Sequence, residues 1–304
     1  MTKHHAVWAA LAVSLGCGGG SGSDDATIGT DSLSTTVATD DADPDATSDP
    51  DESGTDGDES AQGSSSGDGP VPEGLPCGTE FSVSGHTGCE TVVDGIGVKF
   101  FPLPPGERVD RLAIYFHGDG ALDYMDGWAF SPEIFAWTDP RNTMVVGVLS
   151  PAFYEDGTVA FGAAQPEHAA MVATAIETML TAWEPTYADQ TMYWATSGGS
   201  WFFASSFIAH VGQRIPGVFV ANCGGSGGSF GWSWDPMTDA ATRDMIPIYF
   251  NYGTEDFLAP NIEGSIAEYE GLGFEVDALV HQGAMHCDHP IDGPTVEFWS
   301  RYVE

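Results

Sequence analysis

The sequence predicts an α/β fold, a mostly parallel central sheet with helices on both faces, and three observations carry that prediction. Apolar runs enriched in β-branched and aromatic residues recur between turn signals. At least one intervening segment repeats its apolar residues at the spacing of a helix. A Pro or Gly punctuates nearly every junction. Strands that alternate with helices pair most readily in parallel, because each helix carries the chain back along the sheet and covers one of its faces.

In chain order the strand-like runs are 81–84, 98–103, 111–116, 144–149, 192–196, 217–221, 246–252 and 276–281. The clearest helix places Ala169, Val172, Ile176, Met179, Leu180 and Trp183 on one face. Two further helices are expected at 201–210 and 295–303, and no internal repeat is visible. Ligands of such a sheet sit beyond the carboxyl ends of its strands. Four strand-end loops there carry polar or small residues that a core does not require: His117-Gly118-Asp119-Gly120, Ser197-Gly198-Gly199-Ser200, Gly253-Thr254-Glu255-Asp256 and Met285-His286-Cys287. Aromatic residues gather in two loop-like stretches, 128–137 and 230–234, where they either pack in the core or form a recognition surface.

The N-terminal quarter is of another kind. Residues 1–17 have a basic start at Lys3, an apolar stretch from Ala6 to Leu15 and a small-residue end at Gly16-Cys17, which reads as an export signal too short to span a membrane as a mature helix. Val13-Ser14-Leu15-Gly16-Cys17 resembles a bacterial lipobox, departing from it at Ser14; the resemblance implies a lipid on Cys17 and attachment to a membrane through that anchor alone. Residues 18–76 are Gly, Ser, Thr, Asp and Pro with almost no large apolar side chain, a composition that cannot offset its ordering entropy and is expected to form a disordered acidic linker. The domain proper is expected over 77–304, as a monomer, in an exported protein that is either held at the cell envelope or extracellular.

Charge narrows the function classes. The chain of 304 residues carries 45 Asp plus Glu against 8 Lys plus Arg, a formal net charge of -37. Residues 77–304 alone hold 30 acidic against 7 basic side chains. Nucleic acid and anionic headgroups are bound by clustered Lys and Arg, so neither is an expected partner, and highly anionic substrates fit poorly. With Cys17 set aside, four cysteines remain and allow three pairings. Cys77 with Cys89 is the first choice, because they flank a short segment at the start of the domain that a small closed loop would stabilise by about 3 kcal/mol; Cys223 with Cys287 follows by elimination.

A serine nucleophile requires a base, a carboxylate that orients the base, and backbone N–H donors for the developing oxyanion. The sequence offers them in the order oxyanion loop, serine, acid, histidine. Small residues are needed two before and two after the nucleophile, where the strand turns sharply into a helix. Ser197 has Ala195 and Gly199 at those positions; Ser200 has Gly198 and Phe202, and the Phe would be overpacked. Ser197 is therefore preferred and Ser200 kept as the alternative nucleophile. Asp256, with Glu255 beside it, is the expected acid, and His286 the expected base in preference to His281 and His289. Gly118, Asp119 and Gly198 are expected to form the oxyanion hole, and His117 to shape that loop. The cluster of His281, His286, Cys287, Asp288 and His289 matches no strong zinc spacing, and no metal or cofactor is expected.

These segments resemble the α/β-hydrolase family. Ile114-Tyr115-Phe116-His117-Gly118 is similar to its third strand and oxyanion loop, 192–199 to its nucleophile elbow, 247–256 to its acid-bearing strand and turn, and Gly283-Ala284-Met285-His286 to its histidine loop. Single-domain secreted esterases of the polyhydroxybutyrate-depolymerase and feruloyl-esterase type look most similar, while Gly198-Gly199-Ser200-Trp201 resembles the elbow of proline iminopeptidases. The resemblance implies a serine hydrolase that cleaves small or polymeric carboxylic esters. An amidase or peptidase, or a binding protein that keeps the fold without the activity, stays open at this level.

Overall fold

The apolar runs assemble into a single sheet of nine strands: β1 (Thr79–Val83), β2 (His86–Val93), β3 (Ile96–Phe100), β4 (Arg111–Phe116), β5 (Thr143–Val148), β6 (Met192–Thr196), β7 (Val218–Asn222), β8 (Ile248–Gly253) and β9 (Val276–His281). Their spatial order is β1-β2-β3-β5-β4-β6-β7-β8-β9. The computed structural model describes residues 74–303, all within the unit Ser66–Glu304. The signal-like segment with Cys17, and the linker as far as residue 73, lie outside the described residues.

From β5 to β9 every neighbouring pair is parallel, which is the mostly parallel centre the alternating pattern predicts. β1, β2 and β3 form an antiparallel meander that joins the edge of β5. The sequence reading found no strand over 86–93, because that stretch is polar and poorly alternating. Its ends were nevertheless marked: Ser84-Gly85 and Asp94-Gly95 both turn with positive φ at each residue, 52° and 83° in the first and 48° and 83° in the second. Paired positive φ values match the twist of a two-residue hairpin turn, and Gly accommodates the second without steric cost.

Among the described residues eight α-helices complete the fold: α1 (Leu122–Met125), α2 (Pro132–Thr138), α3 (Pro166–Trp183), α4 (Gly198–Phe202), α5 (Ile208–Val211), α6 (Ala240–Arg243), α7 (Ala259–Gly271) and α8 (Asp292–Trp299). α3 buries Ala169, Val172, Ile176, Met179 and Trp183, the face expected from their spacing. A single π turn, Phe203–Phe207, joins α4 to α5, so the segment expected as one helix is wound more loosely in its middle. α7 escaped the sequence reading because its face is polar and interrupted by Gly264, whose missing Cβ lets the helix rest against the backbone of Gly227.

Two apolar layers result. One joins α3, the α4–α5 segment and α7 to the sheet through residues such as Phe116, Ile176, Phe207 and Ile262. The other joins α2 and α8 through Phe135, Trp137, Trp194 and Trp299. The aromatic stretches divide accordingly. Trp137 packs at 5.4 Å on Trp299, and Trp232 stacks at 5.6 Å on Phe274, so both serve the core, whereas Trp128 is 71% exposed. No described helix is long and apolar enough to cross a membrane.

Candidate active site

β6 ends at the centre of the sheet, and the chain turns there into α4 through Ser197 at φ 48° and ψ -114°. A non-glycine residue held in so sparsely populated a region costs about 1–3 kcal/mol and persists only where its surroundings impose it. Here the Ser197 N–H donates to the Asn222 carbonyl at 3.0 Å, and the Ser197 carbonyl accepts from Trp201 N–H at 2.9 Å. Gly199 has no room for a side chain, because a Cβ there would meet the carbonyl oxygens of Phe116 and His117. Gly199→Ala is accordingly expected to destabilise the domain by about 3 kcal/mol, read as a lowered urea midpoint with an unchanged slope.

Ser197 Oγ lies 2.9 Å from His286 Nε2, and His286 Nδ1 lies 2.9 and 3.0 Å from the two carboxylate oxygens of Asp256. Asp256 follows β8, His286 follows β9, and the Asp256 side chain is fully buried. Leu258 N–H donates to Asp256 Oδ1 at 2.8 Å and fixes the carboxylate plane. An ionised carboxylate only accepts, so the proton sits on Nδ1 and leaves the Nε2 lone pair facing the serine hydroxyl. Glu255 is exposed. Ser200 is fully buried, and its hydroxyl donates to the Asn222 carbonyl at 2.8 Å, away from any histidine contact.

The oxyanion loop is held by Asp123 on the one-turn helix α1. Asp123 Oδ2 accepts from Thr196 Oγ1 at 2.7 Å, from Gly118 N–H at 3.1 Å and from the Tyr115 hydroxyl, while Oδ1 accepts from Tyr124 N–H at 3.0 Å. One carboxylate thus ties the loop after β4 to the residue before Ser197. Gly118 differs from the sequence expectation in consequence, since its N–H is engaged by Asp123 rather than turned to a substrate oxygen. The Asp119 side chain accepts from Gly162 N–H at 2.9 Å and from the Tyr154 hydroxyl at 2.7 Å, and lies against the missing Cβ of Gly198. Burial, then the Asp123 charge, raise the Tyr115 pKa well above its ordinary value, so the hydroxyl stays protonated.

His117 is fully buried. Its Nδ1 donates to the Gly118 carbonyl at 2.6 Å and its Nε2 accepts from Ser150 N–H at 2.9 Å, so the ring has no place for a second proton. Burial lowers its pKa from the ordinary 6.5. The unfolded chain therefore takes up a proton that the folded one refuses, and stability is full above pH 6.5 and falls as the pH drops below it. Denaturant midpoints measured from pH 7.5 to about 5 are expected to decline, and to decline less in His117→Gln, which offers an acceptor but does not titrate.

Sequence reasoning missed the amides beneath the histidine loop. Asn251 on β8 donates to Asn222 Oδ1 at 2.8 Å and to the Pro290 carbonyl at 2.9 Å, and accepts from His281 Nε2 at 2.8 Å. His289 Nε2 donates to the Asn251 carbonyl at 3.1 Å. Both asparagines are fully buried; their one signal in the sequence is a lone amide in an otherwise apolar strand. Asn251→Ala removes the partner of the buried Asn222 Oδ1 and of the part-buried Pro290 carbonyl and His281 Nε2, and is expected to cost about 2 kcal/mol of stability, seen in the urea midpoint. Cys223 and Cys287 are joined by a disulfide, as are Cys77 and Cys89. Cys223, His286 and Cys287 cluster closely enough to suggest a metal site, but the sulfurs are bonded to each other and no thiolate is left to ligate.

A cavity of about 490 Å³ opens onto Ser197 and His286, with Tyr115, Trp128, Trp194, Asp119, Asp123 and Asp292 in its wall. Its size is that of a small-molecule site.

No family profile and no curated protein matches the chain. Among solved structures it is similar to a cold-adapted esterase from an Arctic intertidal metagenomic library, at 18% identity over 75% of this chain and 98% of that one, with a TM-score of 0.51. An esterase of the bacterial hormone-sensitive lipase family is a more distant likeness, at 14% identity over 75% of this chain and 85% of that one, with a TM-score of 0.47. With its parallel centre, its helices on both faces and the first of these likenesses, the chain has the α/β-hydrolase fold.

Proposed function

We propose that this protein is a serine hydrolase that cleaves carboxylic esters through an acyl-enzyme. The observation that carries the reading is the continuous hydrogen-bonded series from Ser197 Oγ through His286 to Asp256, with the serine on a strained turn at the mouth of a cavity. In the first half-reaction His286 Nε2 takes the Ser197 proton as Oγ adds to the ester carbonyl. The C–O bond to the alcohol then breaks, and the alkoxide leaves with that proton. Water, deprotonated by the same nitrogen, adds to the acyl carbon, the acyl–Oγ bond breaks as Ser197 Oγ takes the proton back from His286, and the acid leaves. Asp256 holds the ring and stabilises the imidazolium. Backbone N–H groups of Asp119 and Gly198 receive the oxyanion, with Gly118 lending shape to the loop rather than its own donor.

Export supports the same picture. The described residues carry two disulfides, which persist in oxidising compartments, and the leader and lipobox-like segment suit an enzyme tethered outside the cell by lipid on Cys17. That the cold-adapted protein of similar fold is an esterase makes esters the first substrates to try. Hydrolysis of p-nitrophenyl butyrate should show an initial burst approaching one product per enzyme, the signature of an accumulating acyl-enzyme. Folded protein that releases no nitrophenol above the buffer rate would overturn the reading.

A further inference from the structure

We propose, resting on the hydrolase reading, that the cavity beside Ser197 receives the positively charged end of an ester substrate carrying a substituted ammonium group. Asp119, Asp123 and Asp292 all contribute to the wall, and among the residues lining the cavity there is no Lys or Arg. Asp119 and Asp123 are satisfied by neutral donors, two tyrosines, a threonine and backbone amides. Such dipoles meet the hydrogen-bonding needs of a carboxylate without cancelling its charge. Asp292, half-buried at the start of α8, has Ser131 and the like-charged Glu133 as neighbours. Burial raises the Asp292 pKa from its ordinary value. Lys99 is bound to the carbonyls of Tyr124 and Met125 and does not line the cavity.

The rest of the wall suits an organic cation. Trp128 in its wall is exposed, while Tyr115 and Trp194, whose rings lie 5.1 Å apart, are almost fully buried. Aromatic faces attract ammonium groups, most strongly the weakly hydrated substituted ones. The chemistry at Ser197 gives the charge a purpose. Ester addition develops a negative oxygen beside three carboxylates, which oppose it, and a positive group on the substrate offsets that opposition where the enzyme supplies no fixed cation. Asp292 and Trp128 would on this account determine specificity, Asp292 by charge and Trp128 by its face.

The test compares butyrylcholine with 3,3-dimethylbutyl butyrate, which has the same shape and no charge, on the full chain. We expect kcat/KM to favour the cation at least ~10-fold at low ionic strength and the ratio to shrink as salt is added. Asp292→Asn should bring the ratio close to one, and Trp128→Ala, which alters an exposed side chain, should lower it. Equal kcat/KM for the two esters, or a ratio that neither substitution changes, would overturn the inference. Binding of tetramethylammonium, followed by calorimetry, gives a readout free of turnover. Weakening of at least ~10-fold in Asp292→Asn supports the cation site; no binding to the unmodified protein overturns it. If tetramethylammonium binds and Ser197 proves unreactive, the hydrolase reading fails while the cation site stands.

Discussion

Ser197→Ala is expected to lower kcat for ester hydrolysis by about 10⁶-fold, leaving a residue of activity owed to the oxyanion donors and to substrate binding. That is about 8 kcal/mol of transition-state stabilisation, and it hangs on an atom 2.9 Å from the base. Stability should change little, since removing the hydroxyl strips no buried partner but His286, whose ring remains fixed by Asp256 and rests at 4.5 Å against Phe257. Substrate affinity should also persist, because the cavity wall is untouched. The matching control is Ser200→Ala. Its hydroxyl is bound to the Asn222 carbonyl, so that substitution should act on stability, by about 1 kcal/mol, and not on the chemical step. If Ser200→Ala proved the silencing change, the assignment of the nucleophile would be reversed.

Asp256→Asn should reduce kcat by about 10⁴-fold with little change in the fold. Both Asp256 oxygens lie within 3.0 Å of His286 Nδ1, so an amide presents a donor where an acceptor stood, or offers its oxygen without the charge. When the NH₂ group faces the ring, Nδ1 must accept, the proton moves to Nε2, and the lone pair that should take the serine proton is gone. When the oxygen faces the ring, the tautomer is right, but the imidazolium formed during addition has no anion beside it. Steady-state kinetics should therefore show the loss in kcat with KM nearly unchanged. A loss confined to KM would instead make Asp256 a substrate contact.

Much of the architecture that positions these groups is legible in the sequence. The strands from β4 to β8 are apolar because they are buried on both faces, so their runs stood out, while the edge strand β9 stood out by its Val and Leu although its residues are half-buried or exposed. Gly199 and Ala195 marked the tight turn at Ser197 by size alone, a steric requirement that leaves a direct trace in residue type. β2 left a weaker trace, because an edge meander with one solvated face tolerates polar residues such as His86, Thr87 and Glu90, and its position was recorded only in the Asp94-Gly95 and Ser84-Gly85 turns. α7 was hidden by the glycine that lets it approach the backbone of Gly227.

The supports of the site were less legible still. Asn222 and Asn251 meet through a contact 29 residues apart in sequence, and an asparagine in a strand announces nothing about its partner. Asp123 sits on a helix of four residues, too short to produce a periodic pattern, yet it gathers Thr196, Gly118 and Tyr115 around one oxygen. Local chemistry thus marks candidate reactive residues, while the long-range hydrogen bonds that aim them depend on how the sheet brings distant strand ends together.

The most direct test of the central claim is intact-mass analysis of the folded protein after treatment with a fluorophosphonate, followed by peptide mapping. The account predicts one adduct per chain, carried by Ser197 and absent from Ser197→Ala. An unlabelled folded protein, or an adduct on Ser200, would contradict it.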